Sequence, residues 1–267
     1  MDWIDALLDG RGSGWSPVRR GESGDFVYRR NDGLAYAKIA RTARAAELAA
    51  ERDRLAWLQG RGIACPEIIE WGETGEGACL VMTAIPGVPA ADLPAGDLLK
   101  AWPSMAQQIG KLHDLPTGHC PFERSLSQMF ERAADVVARN AVNPDFLPDE
   151  DKGTPPSELL ARVERELPVR LDQEGVDRVV CHGDACMPNF MVDPKSLQCT
   201  GLIDLGRLGT ADAYVDLALM LANARESWTT QEQEAQAFAI LFNSLGIEAP
   251  DRERLVFYLR LDPLTWG

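Results

Sequence analysis

Three oxygen-bearing side chains in the second half of the chain have the types and spacing to do chemistry. Asp184 and Asn189 lie in the polar stretch HGDACMPN, and Asp204 closes the apolar run CTGLID. An amide oxygen and a carboxylate suit Mg²⁺, a hard cation that prefers oxygen ligands and keeps waters. A further carboxylate nearby can orient a hydroxyl or receive its proton. Phosphoryl transfer needs these parts and also a lysine on the phosphates.

The first part of the chain offers that lysine. Lys38 is the only lysine in residues 1–99, against ten arginines. A lone lysine in the strand-like AYAKIA suggests a task that suits a compact ammonium better than a guanidinium. A solvent-facing strand position is the alternative. Glu51, in the helical stretch that follows, is the natural partner for Lys38. The alternative there is a solvated charged face formed by Glu51, Arg52, Asp53 and Arg54. The turn GESGDF (21–26) can present backbone N–H groups to a phosphate, with Ser23 as an extra donor. It can equally be a plain hairpin. Each feature alone is weak. The ordered series of Gly turn, strand Lys, helix Glu, HGDxxxxN and IDxG is what carries the signal.

Other chemistries lack their residues. There is no GxxxxGK[ST], HExxH or GxSxG, and no GxGxxG follows a strand. Six cysteines show no CxxC spacing, and three histidines complete no zinc pattern, so buried, reduced thiols are expected.

The elements that must position these groups fall into two sets. Residues 15–20, 25–30, 34–39, 67–71 and 78–84 read as short strands, and Asn31-Asp32-Gly33 as a hairpin turn. Residues 42–60 read as one helix, capped by Thr42 and stopped by Gly60 and Gly62. Pro86-Gly87 ends this part. Helices are expected at 97–114, 124–139, 157–173, 213–226, 230–245 and 251–261. A strand VVCH, a polar loop and a β-like pair (FMVD, CTGLID) lie between the third and fourth. The expected fold is α+β and bilobal. A small antiparallel-sheet lobe with one helix spans 1–85, a larger, mainly helical lobe spans 86–267, and the hinge lies at about 82–90.

The chain has 267 residues, 45% of them hydrophobic and 25% charged, with a net charge of -14. Residues 1–85 hold 13 acids and 11 bases; the rest hold 28 acids and 16 bases. That balance argues against nucleic acid or an anionic membrane as partner and leaves room for a cationic one. The acidic N-terminus does not resemble a secretory signal, and no run approaches the ~18 apolar residues of a membrane span. A cytoplasmic, monomeric protein is expected.

These residues resemble the protein-kinase-like phosphotransferases, and within them the aminoglycoside phosphotransferases. HGDACMPN looks like the catalytic loop, with Gly183 where kinases have arginine. IDLGR (203–207) looks like the metal-binding DFG-type segment, with Leu205 for phenylalanine. The resemblance implies ATP and Mg²⁺ as cofactors, Asp184 as the catalytic aspartate, and Asn189 and Asp204 as metal ligands. It places Lys38 on the nucleotide phosphates with Glu51 as the glutamate that fixes it, and the backbone of Thr83 and Ile85 on adenine. The likeness spans essentially the whole chain. GESGDFV, CPFER, NAVNPDFLPDEDK and YLRLDPLTWG are similar to the group that phosphorylates streptomycin at its 3''-hydroxyl, which implies antibiotic resistance. Two departures stand out: the Gly turn lacks a third glycine, and no APE-like segment follows Asp204.

An acidic second lobe suits a guanidinium-bearing substrate, since carboxylates bind guanidinium bidentately. Asp149, Glu150 and Asp151 in the loop 144–156, with Asp262 and Arg207, are the candidate substrate contacts. A hydrophilic connector is the alternative for that loop. Asp212 is expected as a helix N-cap, Asp216 as a brace for the catalytic loop and His182 as a backbone hydrogen-bonder. Trp266 is expected either to pack on the sugar or to anchor the tail. Rival readings are a kinase of another aminoglycoside or small cationic alcohol, and a non-catalytic pseudokinase.

Overall fold

The structure, a computed structural model, describes residues 3–8, 14–18 and 25–267. Its first part is a five-stranded antiparallel sheet. The strands are β1 (Trp15–Pro17), β2 (Phe26–Arg30), β3 (Ala35–Arg41), β4 (Ile68–Glu73) and β5 (Gly77–Thr83), in spatial order β1-β2-β3-β5-β4. β3 is central, and Lys38 sits opposite Val27 on one side and Leu80 on the other. Alternation along β3 sends Ala35, Ala37 and Ile39 to one face, where they are buried with Cys79 and Val81. A short helix α1 (Trp3–Leu8) covers that face with Ile4 and Leu7. Lys38, one residue out of phase, points to the opposite face.

Helix α2 (Ala45–Leu58) packs on that opposite face. Leu48, Leu55 and Leu58 are its buried apolar stripe, and Glu51 is buried among them. The expected start at Thr42 is corrected by the structure. Residues 42–44 form a 3₁₀ turn, and the Thr42 hydroxyl donates to Gly75 O at 3.0 Å rather than capping the helix. The far end agrees better: α2 stops at Leu58, and Gly60 and Gly62 both take positive φ, 76° and 78°.

The second part is mainly helical. It comprises α3 (Ala95–His113), α4 (Leu126–Ala138), α5 (Pro156–Asp177), α6 (Tyr214–Ala224), α7 (Gln231–Ser244) and α8 (Arg252–Leu261). These match the six expected helices within a few residues at each end. Two small sheets lie among them. One pairs β6 (Val88–Pro89), β8 (Phe190–Val192) and β9 (Cys199–Leu202); the other pairs β7 (Arg178–Cys181) with β10 (Gly209–Asp212). All six cysteines are free thiols. Among the described residues no helix is long and apolar enough to cross a membrane.

Candidate active site

The loop between β7 and β8 and the segment after β9 meet at one point. The Ile203 amide donates to Asn189 O at 2.9 Å, which sets Asp204 beside Asn189. Asn189 ends a 3₁₀ turn, Met187–Asn189, and its Nδ2 donates to Asp184 O at 2.8 Å and Asp184 Oδ2 at 3.2 Å. Its side-chain oxygen accepts no hydrogen bond among the described residues. His182 locks the loop as expected. Its Nε2 lies 3.0 Å from Ile203 O, and its Nδ1 accepts from the Asp184 amide at 3.2 Å. That pattern requires the proton on Nε2.

The β3 lysine reaches the same point. Lys38 Nζ donates to Glu51 Oε1 at 2.7 Å and to Asp204 Oδ1 at 3.0 Å. Burial alone would lower the Lys38 pKa, but the charges of Glu51 and Asp204 outweigh it and hold the ammonium charged. Asp204 is drawn the other way from its burial as well. Desolvation raises its pKa, yet the charge and hydrogen bond of Lys38, with Arg207 beyond, overcome it and bring it below 3.8. Asp184 has no direct cation of this kind, and burial leaves its pKa raised above 3.8. Asp204 also adopts φ 59°, a left-handed conformation rare outside glycine and recurrent where backbone strain serves a site.

The loop rests on a buried carboxylate from α6. Asp216, 0% exposed, accepts the amides of His182 (2.8 Å) and Gly183 (2.8 Å) and faces His113 Nε2 at 3.0 Å. Asp216 therefore braces the loop, as expected from sequence. Burial would raise its pKa, but His113 and the Gly183 amide lower it. Sequence reading had not singled out His113; its partner is 103 residues away. Gly183 has φ 81°, and a Cβ there would strike Arg207 O at 2.2 Å. Only glycine serves at this position.

The candidate substrate residues are placed less uniformly. Asp262 lies 3.4 Å from Arg207 Nη1 and 3.6 Å from Arg124 Nη2, and Trp266 Nε1 donates to it at 3.1 Å. Arg207 stacks on the Trp266 ring, 3.3 Å from its centroid, so Trp266 anchors the tail against this arginine. Burial, then Arg124, lower the Arg207 pKa to about 10. Asp149 is exposed and pairs with Lys152 at 2.8 Å, and Glu150 is exposed. Asp151 is only 8% exposed and pairs with Arg162 at 3.0 Å, so it holds the loop to α5 instead of facing solvent. The expectation that Asp212 is the N-cap of α6 is corrected: Ala213 holds that position, and Asp212 ends β10 as a buried hydrogen-bond centre. Its Oδ1 accepts from the Tyr214 amide, while Oδ2 takes Arg254 Nε at 2.7 Å and the Tyr258 hydroxyl at 2.8 Å.

At the end of β5, where Thr83 and Ile85 are the expected adenine contacts, the Thr83 amide is already engaged, donating to Glu67 O at 2.9 Å. The Ile85 amide makes no hydrogen bond among the described residues. Ser23, with the rest of the turn 21–24, lies outside the described residues.

The profile of the phosphotransferase enzyme family matches residues 14–257. The streptomycin 3''-kinase of Streptomyces griseus is 52% identical over 260 residues, covering 97% of this chain and 95% of that protein. An aminoglycoside 3'-phosphotransferase of Streptomyces fradiae is 39% identical, covering 93% and 94%. Among solved structures, aminoglycoside phosphotransferase APH(3'')-Id of Streptomyces rimosus in complex with ADP and streptomycin superposes with a TM-score of 0.93. It shares 46% identity over 99% of this chain and 98% of that one.

Proposed function

The chain belongs to the phosphotransferase enzyme family, and on that premise we propose that it transfers the γ-phosphoryl group of ATP to the 3''-hydroxyl of streptomycin. The product would lose a determinant of antibiotic binding, so the activity is one of resistance. The observation that carries the reaction class is Lys38 bridging Glu51 and Asp204 across the two parts of the fold. The substrate rests on the likeness to the streptomycin 3''-kinase and to the streptomycin-bound structure.

Residues 1–85 act as the nucleotide lobe and 86–267 as the catalytic lobe, with the hinge at about 82–90. Lys38, fixed by Glu51, directs its remaining N–H at the nucleotide phosphates, and Ser23 adds a donor from the turn. The Thr83 carbonyl and Ile85 amide take the adenine edge. The Asn189 side-chain oxygen and the Asp204 carboxylate, whose Oδ1 also accepts from Lys38, form an all-oxygen donor set without nitrogen or thiolate, which fits Mg²⁺. When bound, Mg²⁺ neutralises charge on the β- and γ-phosphates. Asp184 orients the acceptor hydroxyl and takes its proton late, as a loose transition state requires. The exposed carboxylates Asp149 and Glu150, with Asp262 and Arg207 at the mouth, meet the cationic substrate. Asp151 supports that loop from within through Arg162. ATP use suits a cytoplasmic enzyme, which we take to act as a monomer.

The test is ADP release with Mg-ATP and streptomycin, alongside kanamycin and a control without acceptor, with the product's phosphorylated position read by NMR. Turnover with streptomycin and a 3''-phosphate is the expected result. Turnover with kanamycin alone would move the enzyme toward the 3'-phosphotransferases, and nucleotide binding without any turnover would make it a pseudokinase.

A further inference from the structure

The lysine–glutamate pair depends on where α2 stands, and two side chains of α2 tie it to the second lobe. Arg54, one turn after Glu51, donates from Nε to Leu208 O at 2.7 Å and from Nη1 to Ala50 O at 2.9 Å. Its guanidinium lies 4.8 Å from the centroid of Phe122. Trp57 donates from Nε1 to His119 O at 2.9 Å and meets Phe122 edge-on at 6.2 Å. Leu208 follows Asp204 by four residues. Between them Gly206 lies against Glu51: a Cβ there would meet the Glu51 Cβ at 3.7 Å, an ordinary van der Waals contact. Segment 204–208 therefore runs alongside α2, touching Lys38, Glu51 and Arg54 in turn.

We propose that Arg54 is a positioning residue of the phosphoryl-transfer reaction. It clamps α2 to the Asp204 segment, so that Glu51, Lys38 and Asp204 stay in register without an external signal. The inference rests on the assignment of Lys38 and Glu51 to the nucleotide. Its chemistry is specific. The Arg54 side chain is half-buried, and burial lowers its pKa. A hydrogen bond from a charged donor to a partly desolvated carbonyl is of the stronger kind. Its loss would leave Leu208 O without that donor and free α2 to shift relative to Asp204. The distance from Glu51 to Lys38 would then vary instead of staying at 2.7 Å.

The experiment compares wild type with Arg54→Ala, Arg54→Lys, Glu51→Gln and the Arg54→Ala/Glu51→Gln double variant. Affinity for a non-hydrolysable Mg-ATP analogue is measured by calorimetry, kcat and KM with streptomycin, and Tm by thermal unfolding. Arg54→Ala should weaken nucleotide affinity by about tenfold, the loss of one charged hydrogen bond. Arg54→Lys should recover part of it, because an ammonium can still donate to Leu208 O but lacks the planar fork that also reaches Ala50 O. Because Arg54 acts through Glu51, adding Arg54→Ala to Glu51→Gln should cost less than about twofold more. Two outcomes overturn the proposal: losses that multiply in the double variant, or an Arg54→Ala protein with reduced Tm but unchanged affinity and kcat. The titration needs no acceptor, so failure of streptomycin turnover would overturn the substrate reading alone.

Discussion

Asp184 and Asp204 share one cleft, yet their surroundings drive them apart. Lys38 holds Asp204 below 3.8, whereas burial without a direct cation lifts Asp184 above it. One carboxylate stays ionised for a cation and the other is poised to take a proton. Activity should fall as pH drops through the raised Asp184 value, with kcat/KM decreasing about tenfold per unit below it. Asp184→Asn should lower kcat by about 10²–10⁴-fold, the usual contribution of a positioned base, while leaving nucleotide affinity intact. A buried acid whose folded pKa is raised costs stability once ionised. Asp184→Asn should therefore not lower Tm at pH 7; a Tm clearly below wild type would contradict this electrostatic account. The candidate reacting residues, which the structure brings together, were legible as a set because phosphoryl transfer demands particular side-chain types in a particular order. Asp151 was not, since PDED reads as an acidic face whether or not Arg162 waits eleven residues on. His113 escaped notice for a related reason: its partner is remote, and a lone histidine ending a helix has no local signature.

The elements were legible where their periodicity is strong and blurred where short-range chemistry competes. Leu48, Leu55 and Leu58 announce α2, but Thr42 bonds to a neighbouring loop carbonyl instead of the helix start, a tertiary choice with no trace in the local sequence. The six-residue helix α1 is too brief to announce itself, although Ile4 and Leu7 close one face of the sheet. Packing of β10 against α8 shows how a polar centre can hold elements together. Asp212 is 0% exposed, and Arg254 joins it to Asp177 on α5, with Nη1 at 2.7 Å from that carboxylate. Removing one member of a buried pair strands the other. Arg254→Ala should destabilise the fold by about 3–5 kcal/mol. Arg139→Ala removes an exposed i,i+4 partner of Asp135 on the α4 rim and should cost under about 0.5 kcal/mol. Urea unfolding of both variants checks this, and equal losses would show that the Asp212 centre contributes nothing special.

At the scale of the whole molecule, the two lobes were visible in charge as well as in pattern. What joins them was not. Arg54 and Trp57 both donate to backbone carbonyls, at Leu208 and His119, and a carbonyl acceptor leaves no residue type to read. The uneven charge has a consequence for the two substrates, which carry opposite signs. Of the net -14, all but -2 belongs to residues 86–267. That lobe should draw a bis-guanidinium acceptor toward Asp149, Glu150 and Asp262, and the attraction should weaken as salt shortens the Debye length from ~30 Å at 0.01 M to ~8 Å at 0.15 M. For ATP the same field is repulsive, and the nearly balanced first lobe moderates it. Raising ionic strength over that range should lower kcat/KM for streptomycin by about tenfold while leaving kcat/KM for Mg-ATP level or slightly higher. Steady-state kinetics at several salt concentrations, each with the other substrate saturating, decides the matter. A parallel fall for both substrates would mean that salt acts on the fold or the chemistry, and that the acidic lobe serves solubility alone.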